Sequence, residues 1–321
     1  MIIIFSIDGD SSTNKVIDWL IFFNTPHIRV NLENEDPKNL SLIIKDSIID
    51  LRFKLNNGKE IVFSEVDYFF YRGGMFPKVD DYSFVEASSS NLPKDILANQ
   101  LSDDLEILID YFFKLIKTKS LGSPKLMPIN KLEVLYNAKT IGFSIPDTIV
   151  CNSKNFIKLQ AECTKKLIGK ALSETISITS EGLYYDLNTS DIVVSDLSES
   201  FFPSLFQSKI DRQLELRVFV FGNKHYSIAM ESERTDIRED FNGNTYKRYE
   251  ISDEVFAKCK QLLKMCQLNT GSFDFILDHD DILHFLEVNP IGQFDFVSRI
   301  GNYEIEYDLA EYLTKKANKK P

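Results

Sequence analysis

The sequence predicts an α/β protein, with parts in which strands and helices are segregated as in α+β folds. A short apolar run at 2–6, an amphipathic run at 13–23 and a second apolar run at 27–32 follow one another, as in a βαβ unit. Between 166 and 231 the chain instead alternates apolar runs with short polar breaks, which predicts consecutive strands. With 321 residues and 43% apolar content, the chain is long enough for two or three domains.

Residues 1–120 are predicted to form an N-terminal domain around this βαβ unit. A hairpin should follow on the same sheet, because Asn56-Asn57-Gly58 is a turn sequence between two apolar runs. The elements expected after the βαβ unit are strands at 41–44, 48–55, 59–63 and 66–71 and a helix at 92–118.

The segment SLGSPKLMPIN at 120–130 is rich in turn-forming residues and marks the end of this domain. Beyond it we expect a central subdomain over 121–210 and a C-terminal subdomain over 211–321. The expected elements are helices at 130–140, 252–267 and 303–316, a further helix beginning near 152, and strands at 147–151, 166–172, 175–179, 182–186, 201–208, 213–222, 224–231, 271–277 and 282–289.

The charge balance argues against several classes of function. A formal net charge of −11 is unfavourable for a protein that binds nucleic acid or anionic membranes, because such proteins need basic patches. No apolar run approaches the roughly 20 residues that span a bilayer. The start, MIIIFSIDGDSS, lacks the basic region of a signal peptide, and the cysteines show no zinc-binding spacing. We therefore expect a cytoplasmic protein.

Acidic residues interrupt two neighbouring apolar runs in GSFDFILDHDDILHFLEVNP, at 271–290. The polar turn between the runs predicts an antiparallel hairpin. A turn centred on 279–280 would place Glu287 across from Ser272 or Phe273, whereas a register shifted by two residues would bring it onto the same face as Asp274. Glu287 and Asn289 are two residues apart, so their side chains share a face in either register.

Two carboxylates and an amide oxygen on one face would form a site of hard oxygen ligands. Such a site suits Mg²⁺, which usually takes one or two carboxylates and completes its shell with phosphates and water. The alternative is that these side chains are solvated at the edge of a half-exposed sheet. The residue pattern alone leaves both interpretations open.

Five segments together carry a resemblance to a known superfamily. They are IIIFSIDGDSSTNKVIDWL near the start, VDYFFYRGG at 66–74, NKLEVLYNAKTIGFSIPDT at 130–148, FPSLFQSKIDRQLELRVFVFGNKHYSIAMES at 202–232, and the hairpin at 271–290. The chain resembles the ATP-grasp superfamily, whose members often carry an acidic residue on one strand and Glu-x-Asn on the next. More narrowly, it is similar to the graspetide (omega-ester peptide) ligases, relatives of the microviridin ligases and of the peptide maturases of grasp-with-spasm clusters.

The resemblance covers nearly the whole chain and implies an ATP-grasp fold with an N-terminal βαβ pre-ATP-grasp domain. It also implies that ATP and Mg²⁺ are bound. The implied metal ligands are Asp274, Glu287 and Asn289, and the implied phosphate-contacting lysines are Lys131 and Lys170.

Further site residues follow from the same resemblance. The segment at 205–210 is similar to the hinge whose backbone reads the adenine edge, and the implied nucleotide-binding residues there are Gln207, Ser208 and Lys209. Arg217 matches an arginine near the transferred phosphate, whereas Asp236 and Arg238 match loop residues beside the acceptor.

Arg217 lies inside an apolar strand, where an unpaired charge would be costly. A partner is therefore expected. Glu215 or Glu231 could provide it as part of a purely structural ion pair.

The implied activity is that of an ATP-dependent ligase acting on a ribosomal precursor peptide with a leader and a core. It would activate Asp or Glu side chains of the core as acyl phosphates, and Ser or Thr hydroxyls or a Lys amine would then close ester or amide macrocycles. Asp236 could accept the nucleophile's proton. The resemblance also implies a homodimer. Two alternatives remain open, a carboxylate–amine ligase that adds a free amino acid to a protein or small acid, and a non-catalytic nucleotide-binding protein.

Overall fold

The computed structural model describes residues 1–46, 48–78, 94–124, 129–161, 166–173, 177–180, 183–186, 189–231 and 245–318. The chain forms two compact units, Met1–Met127 with Glu304–Pro321, and Pro128–Tyr303. The C-terminal helix, Ile305–Ala317, is thus part of the first unit. The division into three domains at 120 and 210 stays a prediction.

The first unit contains a parallel sheet and a separate antiparallel sheet. Its elements before the C-terminal helix are β1 (Ile2–Ser6), α1 (Ser11–Phe22), β2 (His27–Asn31), β3 (Leu40–Lys45), β4 (Ile48–Lys54), β5 (Glu60–Val62), β6 (Tyr68–Tyr71), α2 (Lys94–Lys117) and β7 (Ser120–Leu121). The parallel strands lie in the order β2-β1-β6-β7. The predicted βαβ unit is therefore present as β1, α1 and β2.

The hairpin predicted on the parallel sheet was placed wrongly. Strands β3, β4 and β5 form an antiparallel sheet of their own, in that order. The reason lies in packing, because Leu51, Phe53 and Ile61 turn inward onto the core that also holds Phe5 and Phe112. Strands β3, β4 and β5 therefore cover this core and do not extend the parallel sheet.

The second unit is built from antiparallel sheets and the helices that cover them. Its elements are α3 (Lys131–Thr140), β8 (Thr148–Ser153), α4 (Lys154–Ala161), β9 (Leu167–Lys170), β10 (Ser177–Ser180), β11 (Leu183–Asp186), β12 (Ser190–Ile192), β13 (Ser200–Ser208), β14 (Arg212–Phe221), β15 (Lys224–Glu231), β16 (Thr245–Arg248), α5 (Asp253–Met265), β17 (Thr270–Asp278), β18 (Leu283–Asn289) and α6 (Phe294–Gly301). In this numbering the C-terminal helix is α7. Of the helices within the described ranges, none is both long and apolar enough to cross a membrane.

Two sheets of this unit carry those predicted site residues that lie on strands. The central sheet has the strand order β12-β9-β13-β8, and the C-terminal sheet has the order β16-β15-β14-β17-β18. Strand alternation divides the side chains of the C-terminal sheet between its faces. One face, with Leu216, Val218 and Phe273, packs against α3 and α5 in the main core. The opposite face, which we call the site face, carries Arg217 and Asp274.

Helix α6 covers part of the site face and was not predicted from the sequence. Its Phe294 ring lies 5.4 Å from the ring of Phe219 on β14. The helix is eight residues long and directly precedes α7, and the helix expected at 303–316 corresponds to α7 alone. Asn302 separates them in a left-handed backbone conformation (φ 47°), which ends α6.

Candidate active site

The register of β17 and β18 aligns the two predicted metal-binding carboxylates. Asp274 lies directly opposite Glu287, and Ser272 lies directly opposite Asn289. Because directly opposite residues share a face, all four side chains project from the site face. The register with Glu287 opposite Ser272 or Phe273 was therefore wrong, and the register shifted by two residues is present.

Two local features produce this shift. The turn is centred one half-residue later than expected, with Leu277 opposite Leu283. Asp278 fixes the turn by accepting hydrogen bonds from the backbone N–H groups of Asp280 and Ile282, at 2.9 and 2.8 Å. A β-bulge at Leu286 then inserts an extra residue between the Phe275–Phe285 and Asp274–Glu287 pairs.

Arg217 lies on β14, the other neighbour of β17, directly opposite Asp274. Arg217, Asp274 and Glu287 therefore form a row across three strands, and we refer to these three residues as the row. Its guanidinium donates two hydrogen bonds, from Nε to Oδ1 of Asp274 at 2.7 Å and from Nη2 to Oδ2 at 2.9 Å. The Asp274 carboxylate raises the pKa of Arg217 further above its ordinary value, with smaller contributions from Glu215 and Glu287. The guanidinium carbon also lies 5.9 Å from the ring centroid of Phe296 on α6.

The partner of Arg217 is thus neither of the residues suggested by the sequence. Glu215 accepts instead from Arg212 at 2.9 Å, and Glu231 pairs with Lys247 at 2.9 Å. Both alternatives were wrong, because Asp274 reaches Arg217 from the adjacent strand with a geometry that uses both carboxylate oxygens.

Glu215 is a further acidic group of the site face, and its burial and raised pKa were not expected from the sequence. It lies two residues before Arg217 on β14, and therefore on the same side of the strand. Burial and, to a smaller extent, the nearby Asp274 carboxylate raise the pKa of Glu215 to about 7. The positive charge of Arg212 lowers this pKa, but not enough to offset the increase. The alternation Glu-Leu-Arg inside an apolar strand was the available signal.

The oxygen atoms of Asp274, Glu287 and Asn289 are of the kind that bind a magnesium ion, and their role as metal ligands stays a prediction. Asp274 and Glu287 supply carboxylates, and Asn289 supplies an amide oxygen that also accepts the Ile291 N–H at 3.1 Å. The described residues contain no group of three or more His, Cys, Asp or Glu side chains placed to hold a metal. A cation here would therefore depend on the amide and on oxygens from outside the chain, as is usual for Mg²⁺ bound with nucleotide phosphates.

Of the two predicted phosphate-binding lysines, Lys131 contacts the segment that follows Lys170 in the chain. Lys131 is the first residue of α3, whose N-cap Asn130 accepts from the N–H groups of Leu132 and Glu133. Its Nζ donates to the carbonyl oxygen of Ser173 at 2.9 Å. Lys170 ends β9 opposite Leu205, three residues before Ser173. Their role in phosphate binding stays a prediction.

The predicted hinge is held firmly within the central sheet. The Gln207 side chain is buried and donates from Nε2 to Thr148 Oγ1 at 3.1 Å. The N–H groups of Ser208 and Lys209 donate to backbone carbonyl oxygens at 2.9 and 3.0 Å. The Lys209 ammonium pairs with Asp191 at 2.7 Å. Because these two N–H groups already donate within the protein, other backbone groups of this segment would have to bind the adenine edge. Adenine binding by the segment stays a prediction.

The predicted acceptor-side residues Asp236 and Arg238 lie outside the described residues. Nothing in the structure tests their roles.

No protein-family model matches the sequence, and no curated protein matches it significantly. Solved structures do match. An ATP-grasp ligase associated with ribosomally synthesised, modified peptides from Chryseobacterium gregarium, solved with ADP and a leader and core peptide, is 21% identical, with a TM-score of 0.76 over 98% of this chain and 96% of its own. The chain has the ATP-grasp fold.

Two other ATP-grasp structures support the same conclusion. The macrocyclase MdnC from Microcystis aeruginosa, bound to the precursor peptide MdnA, is 21% identical, with a TM-score of 0.72 over 98% of this chain and 99% of its own. The ATP-grasp ligase PsnB, complexed with a precursor variant, Mg and ADP, is 17% identical, with a TM-score of 0.71 over 99% of this chain and 98% of its own. The fold prediction made from the resemblance is confirmed, and the ATP-grasp similarity spans both compact units.

Proposed function

We propose that the protein is an ATP- and Mg²⁺-dependent ligase that cross-links side chains within a ribosomally made precursor peptide. The observation that carries this proposal is the full-length likeness to ATP-grasp ligases solved with precursor peptides, which covers 98% of this chain. A likeness confined to the nucleotide-binding half would leave the acceptor open. The row formed by Arg217, Asp274 and Glu287 supports the same chemistry at the level of individual side chains.

The proposed reaction has two steps. A peptide Asp or Glu carboxylate oxygen attacks the γ-phosphorus of ATP, ADP leaves, and an acyl phosphate forms. A Ser or Thr hydroxyl, or a Lys amine, of the same peptide then attacks the acyl carbon and phosphate leaves, which closes an ester or amide ring. Phosphoryl transfer chiefly requires positioning and neutralisation of charge, so no covalent nucleophile of the protein is needed.

The residues of the site face would hold these charges in place. Asp274, Glu287 and Asn289 would bind Mg²⁺, whose positive charge would offset the negative charge of the phosphate oxygens. Lys131 and Lys170 would contact further phosphate oxygens. Each of these contacts adds a charge-assisted hydrogen bond, which is about twice as strong as a neutral one.

The remaining parts of the site are assigned on the resemblance. Arg217 would contact the transferred phosphate, Asp236 would accept the proton of the attacking group, and Arg238 would lie beside the acceptor. The segment carrying Gln207, Ser208 and Lys209 would line the adenine pocket. A homodimer located in the cytoplasm is part of the same proposal, as are a leader that binds the protein and a core that is modified.

Mass spectrometry tests the proposal directly. Candidate precursor peptides that end in repeated Ser or Thr and Asp or Glu would be incubated with the protein, ATP and Mg²⁺. We expect the peptide to become lighter by one water per ring, with one ADP formed for each ring. A heavier peptide would instead favour the addition of a free amino acid, and the absence of both mass change and ADP with every candidate would refute a ligase.

A matched pair of variants links any activity to the site. Glu287→Gln removes a proposed metal ligand and should abolish the mass change. Glu231→Gln changes a carboxylate on the same sheet that pairs with Lys247 at the surface, so it should leave the mass change intact.

A further inference from the structure

Arg217, Asp274 and Glu287 form a continuous row across three neighbouring strands of the C-terminal sheet. Asp274 is the middle member and is only 8% exposed, whereas Glu287 is exposed. Cβ atoms of directly opposite residues are about 5 Å apart. The guanidinium on one side of Asp274 and a metal ion shared with Glu287 on its other side would therefore bind the same carboxylate.

Both oxygens of that carboxylate already accept hydrogen bonds from Arg217, at 2.7 and 2.9 Å. Each oxygen retains one further lone pair, so a cation could still approach. It would do so, however, at a carboxylate whose negative charge is already offset by a fixed positive charge. In the part of the chain that the structure describes, Glu287 has no ion-pair partner and would be the freer of the two carboxylates.

The guanidinium is not readily drawn away by other groups of the protein. Its central carbon lies 5.9 Å from the centroid of the Phe296 ring. The nearest alternative carboxylate on its own strand, Glu215, already accepts from Arg212 at 2.9 Å. Arg217 therefore pairs with Asp274 rather than with Glu215.

We propose that Arg217 acts as a gate for the metal site, because it weakens the binding of a free divalent cation at Asp274 and Glu287 until nucleotide phosphates supply the missing negative charge. This inference rests on the proposed magnesium site and goes beyond it, since it assigns an order to the binding of metal and nucleotide. Arg217 thereby couples the two ligands, so each strengthens the binding of the other. In this role Arg217 is a positioning residue.

The test measures Mn²⁺ binding to the nucleotide-free protein, with free Mn²⁺ followed by electron paramagnetic resonance. We expect Arg217→Gln to bind one Mn²⁺ at least tenfold more tightly than the wild type. The added variant Glu287→Gln should remove this gain, which would locate the ion at the row. Arg212→Gln is the matched control, because it removes an equal charge from the same strand. Arg212 pairs with Glu215 rather than with Asp274.

A second measurement uses a non-hydrolysable ATP analogue. The analogue should strengthen Mn²⁺ binding in the wild type, and this strengthening should be at least tenfold smaller in Arg217→Gln. If Arg217→Gln fails to fold, Arg217→Met decides, because methionine also removes the charge but keeps much of the apolar stem of the arginine side chain. Tighter Mn²⁺ binding by the methionine variant than by the wild type supports the gate, and equal or weaker binding overturns it.

The outcomes separate this inference from the proposed function. Unchanged or weaker Mn²⁺ binding by a folded Arg217→Gln protein overturns the gate, even where the wild type binds Mn²⁺ together with the analogue. A wild-type protein that binds no Mn²⁺ with the analogue overturns the metal site itself, and the gate with it.

Discussion

The ion pair between Arg217 and Asp274 should be a strongly coupled element of stability, and a double-mutant cycle can measure it. Its side chains are 23% and 12% exposed, and its two hydrogen bonds measure 2.7 and 2.9 Å. Removing one partner of a buried pair costs about 3–5 kcal/mol, because the other charge is left buried and unpaired. Since both side chains here keep some exposure, we expect about 3 kcal/mol for Asp274→Ala and a similar cost for Arg217→Met.

The double variant should cost about as much as either single variant, because it leaves no unpaired charge. This corresponds to a coupling of roughly 2–3 kcal/mol between the two residues. The assay is urea denaturation followed by circular dichroism. Lys247 and Glu231 provide the control, since they pair across the same sheet with side chains 54% and 51% exposed and should couple by less than about 1 kcal/mol. Additive effects of Asp274→Ala and Arg217→Met would refute the assignment of the pair.

Three further predictions concern backbone, pH and nucleotide. Gly122→Ala should destabilise the protein by about 2 kcal/mol more than Gly58→Ala in thermal denaturation, because both glycines have positive φ but a Cβ at Gly122 would lie 2.1 Å from a backbone oxygen, whereas Gly58 has open space. Glu215 has a pKa of about 7 rather than 4.5, so the folded state binds its proton more tightly than the unfolded state. Stability should therefore fall by at most about 3 kcal/mol as pH rises from about 4.5 to 7, and Glu215→Gln should flatten this slope in denaturation experiments across that range. Lys170→Ala should weaken ATP binding about tenfold in calorimetry through loss of a charge-assisted hydrogen bond, whereas Lys139→Ala, an exposed lysine, should leave the affinity unchanged.

The strands of the site could be predicted from the sequence because their periodicity is strong. The expected strand at 224–231 has the same bounds in the structure, and β14 and β17 both differ from their predicted bounds by one residue at each end. The register of β17 with β18 could not be predicted, because it depends on the turn around Asp278 and on the bulge at Leu286. These are local backbone choices that leave no mark in the alternation of apolar and polar residues.

The electrostatic partners of the site were also beyond sequence reasoning. Arg217 has two acidic residues on its own hairpin, and the sequence favoured these because they are near in the chain. The structure pairs it with Asp274, which is 57 positions away along the chain. A sheet brings such residues together by strand order, which is set by the packing of the whole unit. The fold itself was within reach because the five segments that carry the resemblance are spread over the chain.

The most direct test of the central claim is the affinity for Mn²⁺ in the presence of ATP, measured for the wild type and for Glu287→Gln. Glu287 is suited to this test because it is exposed and its loss leaves no buried charge behind. If the row on the site face holds the metal, Glu287→Gln should bind Mn²⁺ at least tenfold more weakly, a loss of about 1.4 kcal/mol or more. Equal affinity in a folded variant would contradict the account.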